Sequence, residues 1–155
     1  MARTRTSALM AAAAIAFAGC NQCGSASQPT GAGGQHLVFT GPAAGTLTSA
    51  TTQCRVYPAA KQLNYLLSGT LAGQDLTFNI QVYAGYTGPG TYQVGSLLDG
   101  SGNLRLQIGP YVGSSSTGAG KIVIDSGGKS GSVDADLNGG EHVKGSFHCD
   151  EVINA

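Results

Sequence analysis

The sequence predicts an all-β fold: a single antiparallel β-sandwich of about eight or nine short strands, with a flattened β-barrel as the alternative. Three observations lead there. Residues 76–82, Leu-Thr-Phe-Asn-Ile-Gln-Val, alternate apolar and polar without a fault, the period of a half-buried strand. Gly, Pro, Asn and Asp clusters punctuate the chain between short apolar runs. No stretch of residues 35–155 sustains a helical period with caps. A sandwich is preferred because the pattern gives no sign of a capacious lumen.

The N-terminal strand candidates are His36–Thr40, Gly45–Ala50 and Gln53–Tyr57. The central hairpin is the firmest element. Leu63, Tyr65, Leu67 and Leu71 share one parity, while Asn64, Ser68 and Thr70 take the other. A two-residue loop at Ala72-Gly73 then pairs Leu67 with Phe78, Tyr65 with Ile80 and Leu63 with Val82. These apolar residues then share one face, leaving Asn64, Ser68, Thr77, Asn79 and Gln81 on the other. Its one blemish is Ala72, which must take a positive φ unless the loop is longer with the same parity.

Downstream, Thr91–Leu98 follows the Gly88-Pro89-Gly90 turn, and Leu104–Ile108 follows the turn at residues 99–103. Lys121–Asp125, Ser132–Leu137 and His142–Cys149 complete the candidates. Val143, Gly145, Phe147 and Cys149 share a face, as do Val133, Ala135 and Leu137. For both sets to point inward, the connection near Asn138-Gly139-Gly140 must hold an odd number of residues. Lys144 then stands opposite Asp134 or Asp136 on the outer face. Cys54 shares parity with Val56, so a buried Cys54–Cys149 disulfide is expected. Closing a loop of about 95 residues stabilises by roughly 4 kcal/mol on the chain-entropy model.

The N-terminus reads as a targeting segment over residues 1–19. Arg3 and Arg5 give a positive start, Ala8–Phe17 is apolar, and Ala18-Gly19 is a small-residue cleavage site. About ten apolar residues cannot span a hydrocarbon layer that needs roughly twenty. Phe17-Ala18-Gly19-Cys20 resembles the lipobox of bacterial lipoproteins, although Phe17 stands where that family usually has Leu. The resemblance implies that Cys20 is acylated and becomes the mature N-terminus, anchoring the protein to the cell membrane or envelope. Residues 20–34, poor in periodic apolar residues and rich in Gly, Ser and Ala, then serve as a flexible tether. Residues 35–155 form the folded domain. Cys23 is left as a spare thiol or an intermolecular bridge, because Cys20-Asn21-Gln22-Cys23 precedes no fold that would use a redox pair.

Removing Arg3 and Arg5 leaves six basic against eight acidic side chains, a formal charge of −2. Without clustered basic residues the chain has no electrostatic footprint for nucleic acid. The order of lipobox, Gly/Ser-rich tether, all-β domain and spaced cysteines, closing on "HVKGSFHC", is also similar to mycobacterial-type surface lipoprotein antigens. That likeness rests on Cys20, Cys54 and Cys149 and implies a surface lipoprotein without catalysis.

Three motifs imitate chemistry. "GGKS" at Gly127–Ser130 resembles the end of a phosphate loop, but Val123 replaces its first glycine and a strand pattern follows, so a hairpin turn is expected. Asp99, Ser101 and Asn103 open like a calcium loop, yet Leu104 and Pro110 occupy the positions of its glycine and bidentate acid. Asp134, Asp136, His142, Ser146 and His148 supply the letters of a hydrolase or metal site. His142 and His148 lie about 20 Å apart along one strand, however, and cannot share a metal. No metal, no cofactor and no catalytic residue is therefore assigned.

Tyr83, Tyr86, Tyr92 and Tyr111 cluster around Gly- and Pro-rich loops and are the expected binding residues, since tyrosine offers contact area at low entropy cost. The expected function is a lipid-anchored extracytoplasmic module that displays or binds a protein, glycan or apolar ligand. The alternatives are a carrier of an apolar ligand between the sheets, and a small hydrolase or metal enzyme using the Asp134/Asp136/His142 face.

Overall fold

The structure, a computed structural model, describes residues 34–95 and 100–155, apart from the side chains of Thr117 and Gly118. The expected targeting segment, Cys20, Cys23, the expected tether as far as residue 33, Asp99 and the end of the strand expected to reach Leu98 lie outside the described residues.

The described chain is all-β. Its strands are β1 (His36–Thr40), β2 (Gly45–Leu47), β3 (Thr51–Tyr57), β4 (Gln62–Leu71), β5 (Gln74–Val82) and β6 (Gly90–Val94). They continue as β7 (Gly102–Ile108), β8 (Tyr111–Ile124), β9 (Ser130–Leu137), β10 (Glu141–His148) and β11 (Val152–Asn154). All eleven join one hydrogen-bonded sheet in the order β11-β3-β4-β5-β7-β6-β8-β9-β10-β1-β2, with β7 also paired to β8.

The central hairpin has the register that its hydrophobic pattern dictates. Leu63 pairs with Val82, Tyr65 with Ile80 and Leu67 with Phe78, and all six are fully buried. The two-residue loop is retained: Ala72 (φ 49°) and Gly73 (φ 79°) both adopt the left-handed conformation of a tight hairpin turn. The β9–β10 connection holds three residues, the odd number its parity requires, so Lys144 faces Asp134 and His142 faces Asp136.

The ends of the sheet order roll back over one another. The Phe39 ring of β1 meets the Phe78 ring of β5 edge-on at 5.7 Å. Tyr65 of β4 meets Phe147 of β10 at 6.1 Å. Part of the sheet closes as a barrel of five strands to which the others attach. The flattened barrel thus describes the roll better than two separate sheets do.

Its corner is β8. The first half of β8 pairs with β7 and the second with β6, while β9 follows both across a register shift between Ser115 and Gly120. Gly120 (φ 146°) is needed there, because a Cβ would lie 2.1 Å from the Asp134 carbonyl oxygen. Two parallel pairings depart from a purely antiparallel sheet: β11 lies parallel to β3, and Val94 of β6 pairs in parallel with Gly102 of β7.

The Cys54–Cys149 disulfide is present, with Cα atoms 6.1 Å apart and both residues buried. It ties β3 to the chain just beyond β10. The hydroxyl of buried Tyr65 donates to the Gly128 carbonyl in the β8–β9 turn, and burial, then Tyr86, raise its pKa above the usual 10.0.

Candidate functional site

The tyrosines do not form one surface. Tyr86 and Tyr92 stack with ring centroids 5.7 Å apart and planes tilted by 32°. Tyr92 is nearly buried. Its hydroxyl accepts the Thr87 N–H at 3.2 Å and donates to the Gly88 carbonyl at 2.5 Å, fixing the Gly-Pro turn. Burial, then Tyr92, raise the Tyr86 hydroxyl pKa. Tyr111 sits at the other end of β8, where its hydroxyl donates to the Asn138 carbonyl at 2.9 Å. Burial, then the Glu141 charge, raise its pKa. Tyr83 alone of the four is well exposed, at 42%. Three of the expected binding residues therefore serve as turn and strand-end packing.

The outer face of β9 and β10 does gather charge. His142 places Nδ1 2.7 Å from Asp136 and Nε2 3.3 Å from Asp134, while Lys144 Nζ lies 2.9 Å from the second oxygen of Asp134. Lys144 hydrogen-bonding lowers the Asp134 pKa, against a smaller upward effect of burial; the charges of Lys144, His142 and Lys121 add to the lowering. The face is open, with the His142 side chain 36% and that of Asp136 76% exposed.

His148 and Ser146 stand outside this group, and neither projects freely to solvent as a solvated outer sheet face would have it. Ser146 is buried, and His148 Nδ1 is buried without a hydrogen-bond partner among the described residues. The cause is β1, which pairs His36 with Ser146, together with Gln35. The Gln35 amide donates to the His148 carbonyl at 2.6 Å and accepts its N–H at 3.0 Å, extending the strand pairing by one side chain. Among the described residues no group of three or more His, Cys, Asp or Glu is placed to hold a metal.

"GGKS" forms the β8–β9 turn. Asp125 N–H donates to the Ser130 carbonyl, Gly128 N–H to the Asp125 carbonyl, and Ser130 Oγ to the Asp125 carboxylate at 2.7 Å. Every feature is that of a hairpin turn.

A face that sequence reasoning used only to set register is the more concentrated array. Across β3, β4, β5 and β7 the outward positions stand in rows. Gln53, Leu66, Asn79 and Arg105 form one row, and Arg55, Asn64, Gln81 and Asn103 the next. Tyr57 and Gln62 continue the face at one end. Gln53, Arg55, Tyr57, Asn64, Leu66 and Asn79 line a depression of about 180 Å³. The Asn79 side-chain amide donates through Nδ2 to the side-chain Oδ1 of Asn64 at 3.0 Å, which orients both side chains. The signal was legible: the polar parity of the hairpin is almost all amide and hydroxyl. No protein-family model matches the chain, and no curated protein matches it.

Proposed function

We propose that the protein is an extracytoplasmic binding module, anchored by an acylated Cys20 and acting without catalysis. The observation that carries this reading is the contrast between the two sides of the sheet. The interior is occupied by its own side chains, Phe39 on Phe78 and Tyr65 on Phe147, whereas the β3–β4–β5–β7 outer face presents an oriented polar depression. That contrast favours surface recognition over carriage of an apolar ligand, which takes an enclosed space of about 300 Å³ or more. The Cys54–Cys149 disulfide supports an oxidising compartment outside the cytoplasm. Mass spectrometry of the native protein tests the anchor. A diacylated Cys20 at the mature N-terminus is expected, and an unmodified N-terminus elsewhere overturns it.

A second reading has its own observation. His142 is oriented by the 2.7 Å contact of Nδ1 with Asp136, while the longer 3.3 Å contact with Asp134 leaves Nε2 the less tightly held nitrogen, the one available for general acid–base work. Its openness argues against it, since nothing there excludes water. Turnover of ester, peptide or phosphate substrates that disappears in His142→Ala would establish this reading in place of the first.

A further inference from the structure

The β3–β4–β5–β7 outer face carries two guanidinium groups without counter-charges. Arg55 and Arg105 are exposed, and neither guanidinium makes an ion pair or hydrogen bond with another described residue. They lie in adjacent rows on opposite sides of the Asn64–Asn79 pair. Asp75 is on the same face, but four positions beyond Asn79 along β5, about 13 Å away. Glu151, beside β11, is exposed and pairs with neither arginine. Lys61 adds a third cation in the adjoining β3–β4 turn.

Between and beside the arginines stand groups suited to hydroxyls. Gln53, Asn64, Asn79, Gln81 and Asn103 each offer a donor and an acceptor on one planar amide, the complement of vicinal hydroxyl pairs. Half-buried Leu66 is an apolar patch among them, and half-buried Tyr57 closes one end. An apolar floor with convergent amides suits a ring that is apolar on its C–H face and polar at its edge. A depression of about 180 Å³ is smaller than a drug-sized pocket and open, so it takes one ring unit of a longer chain.

From this array we infer that the face binds an acidic oligosaccharide, with Arg55 and Arg105 pairing carboxylate or sulfate groups and the amides holding ring hydroxyls. Guanidinium forks match such planar or tetrahedral oxyanions. Two arginines in a field of neutral amides fit a sparsely charged ligand rather than a nucleic acid, whose dense phosphates demand a basic cluster. The inference rests on the binding-module reading and gives that module its ligand class.

The test uses the full-length protein against an array of neutral, uronic-acid, sialylated and sulfated oligosaccharides, with tetragalacturonate and its methyl ester as the quantified pair. Saturable binding to at least one acidic class is expected. For that acidic ligand, Arg55→Gln and Arg105→Gln should each weaken binding about tenfold or more, and masking the ligand's charge should do the same. Lys144→Gln, on the other side of the roll, should leave it unchanged. Both arginines are exposed, so unchanged melting curves will show that their variants fold. Absence of binding to every acidic class overturns the inference, as do arginine variants that bind like the parent or equal capture of polyglutamate. Such a failure with Cys20 acylated removes the ligand class and leaves the anchored module standing. Saccharide binding with an unmodified N-terminus does the reverse.

Discussion

Gln35 is the first described residue whose side chain commits the chain to the fold. It is buried, and its amide bonds both main-chain groups of His148. Gln35→Ala strands a donor and an acceptor under cover, so a loss of about 1–3 kcal/mol is expected in urea unfolding. Glu141 shows the same logic from the acidic side, with one carboxylate oxygen accepting the Ala43 N–H at 2.9 Å. The charge cluster around Asp134 behaves differently because it is wet. The carboxyl of Asp134, held below its usual 3.8 mainly by Lys144, contributes stability that is present above pH 3.8 and lost as pH falls through the lowered folded value. With the Lys144 side chain 69% exposed, the pair is worth no more than about 0.5 kcal/mol. Lys144→Gln should therefore barely shift the melting temperature at pH 7 and abolish only a small part of the acid-induced loss below pH 3.8.

At the scale of elements, the β4–β5 hairpin concentrates the core. Phe78 and Ile80 are fully buried on β5, and Phe78 also supports Phe39 across the roll. Phe78→Ala should cost roughly 3–5 kcal/mol through lost burial and the cavity left behind, measurable as a lowered denaturation midpoint. This hairpin was readable because a one-residue slip would have turned Leu63, Tyr65 and Leu67 outward together. The first half of β8 was not readable. Val112 is exposed, and Gly113 and Ser114–Ser116 give no apolar alternation to mark a strand. That segment is held by its neighbours on β7 and β9 rather than by its own pattern. β11 escaped for a related reason: three residues carry no period, and its parallel place beside β3 is set by the Cys149 bridge just upstream. The candidate site followed suit. The tyrosines were singled out by residue type, but most are consumed by packing, whereas the amide face was correctly assembled and left uninterpreted. A register tells which residues share a surface, while only the surrounding rows reveal that Arg55 and Arg105 flank it.

On the scale of the whole molecule, the two margins of the sheet among the described residues are β2 and β11, each three residues long. An unpaired margin is a template for another chain's strand, and brevity is one of the ways proteins blunt it. Beneath β11 lies β3, with seven residues and the apolar or aromatic Val56 and Tyr57 near its end. Three strand residues and the Ala155 N–H, which donates to the Val56 carbonyl, cover that margin. Residues 152–155 thus act as a guard against self-association, a property of consequence for the anchored module proposed above, whose copies would be crowded together. Ending the chain at Asp150 keeps Cys149 and the disulfide but bares β3. The expected outcome is a domain whose folded core persists, while light scattering at high concentration rises with time and a thioflavin-type dye begins to bind. If the shortened chain stays as monodisperse as the parent, β11 is no guard, and the edge must be protected by β3 itself.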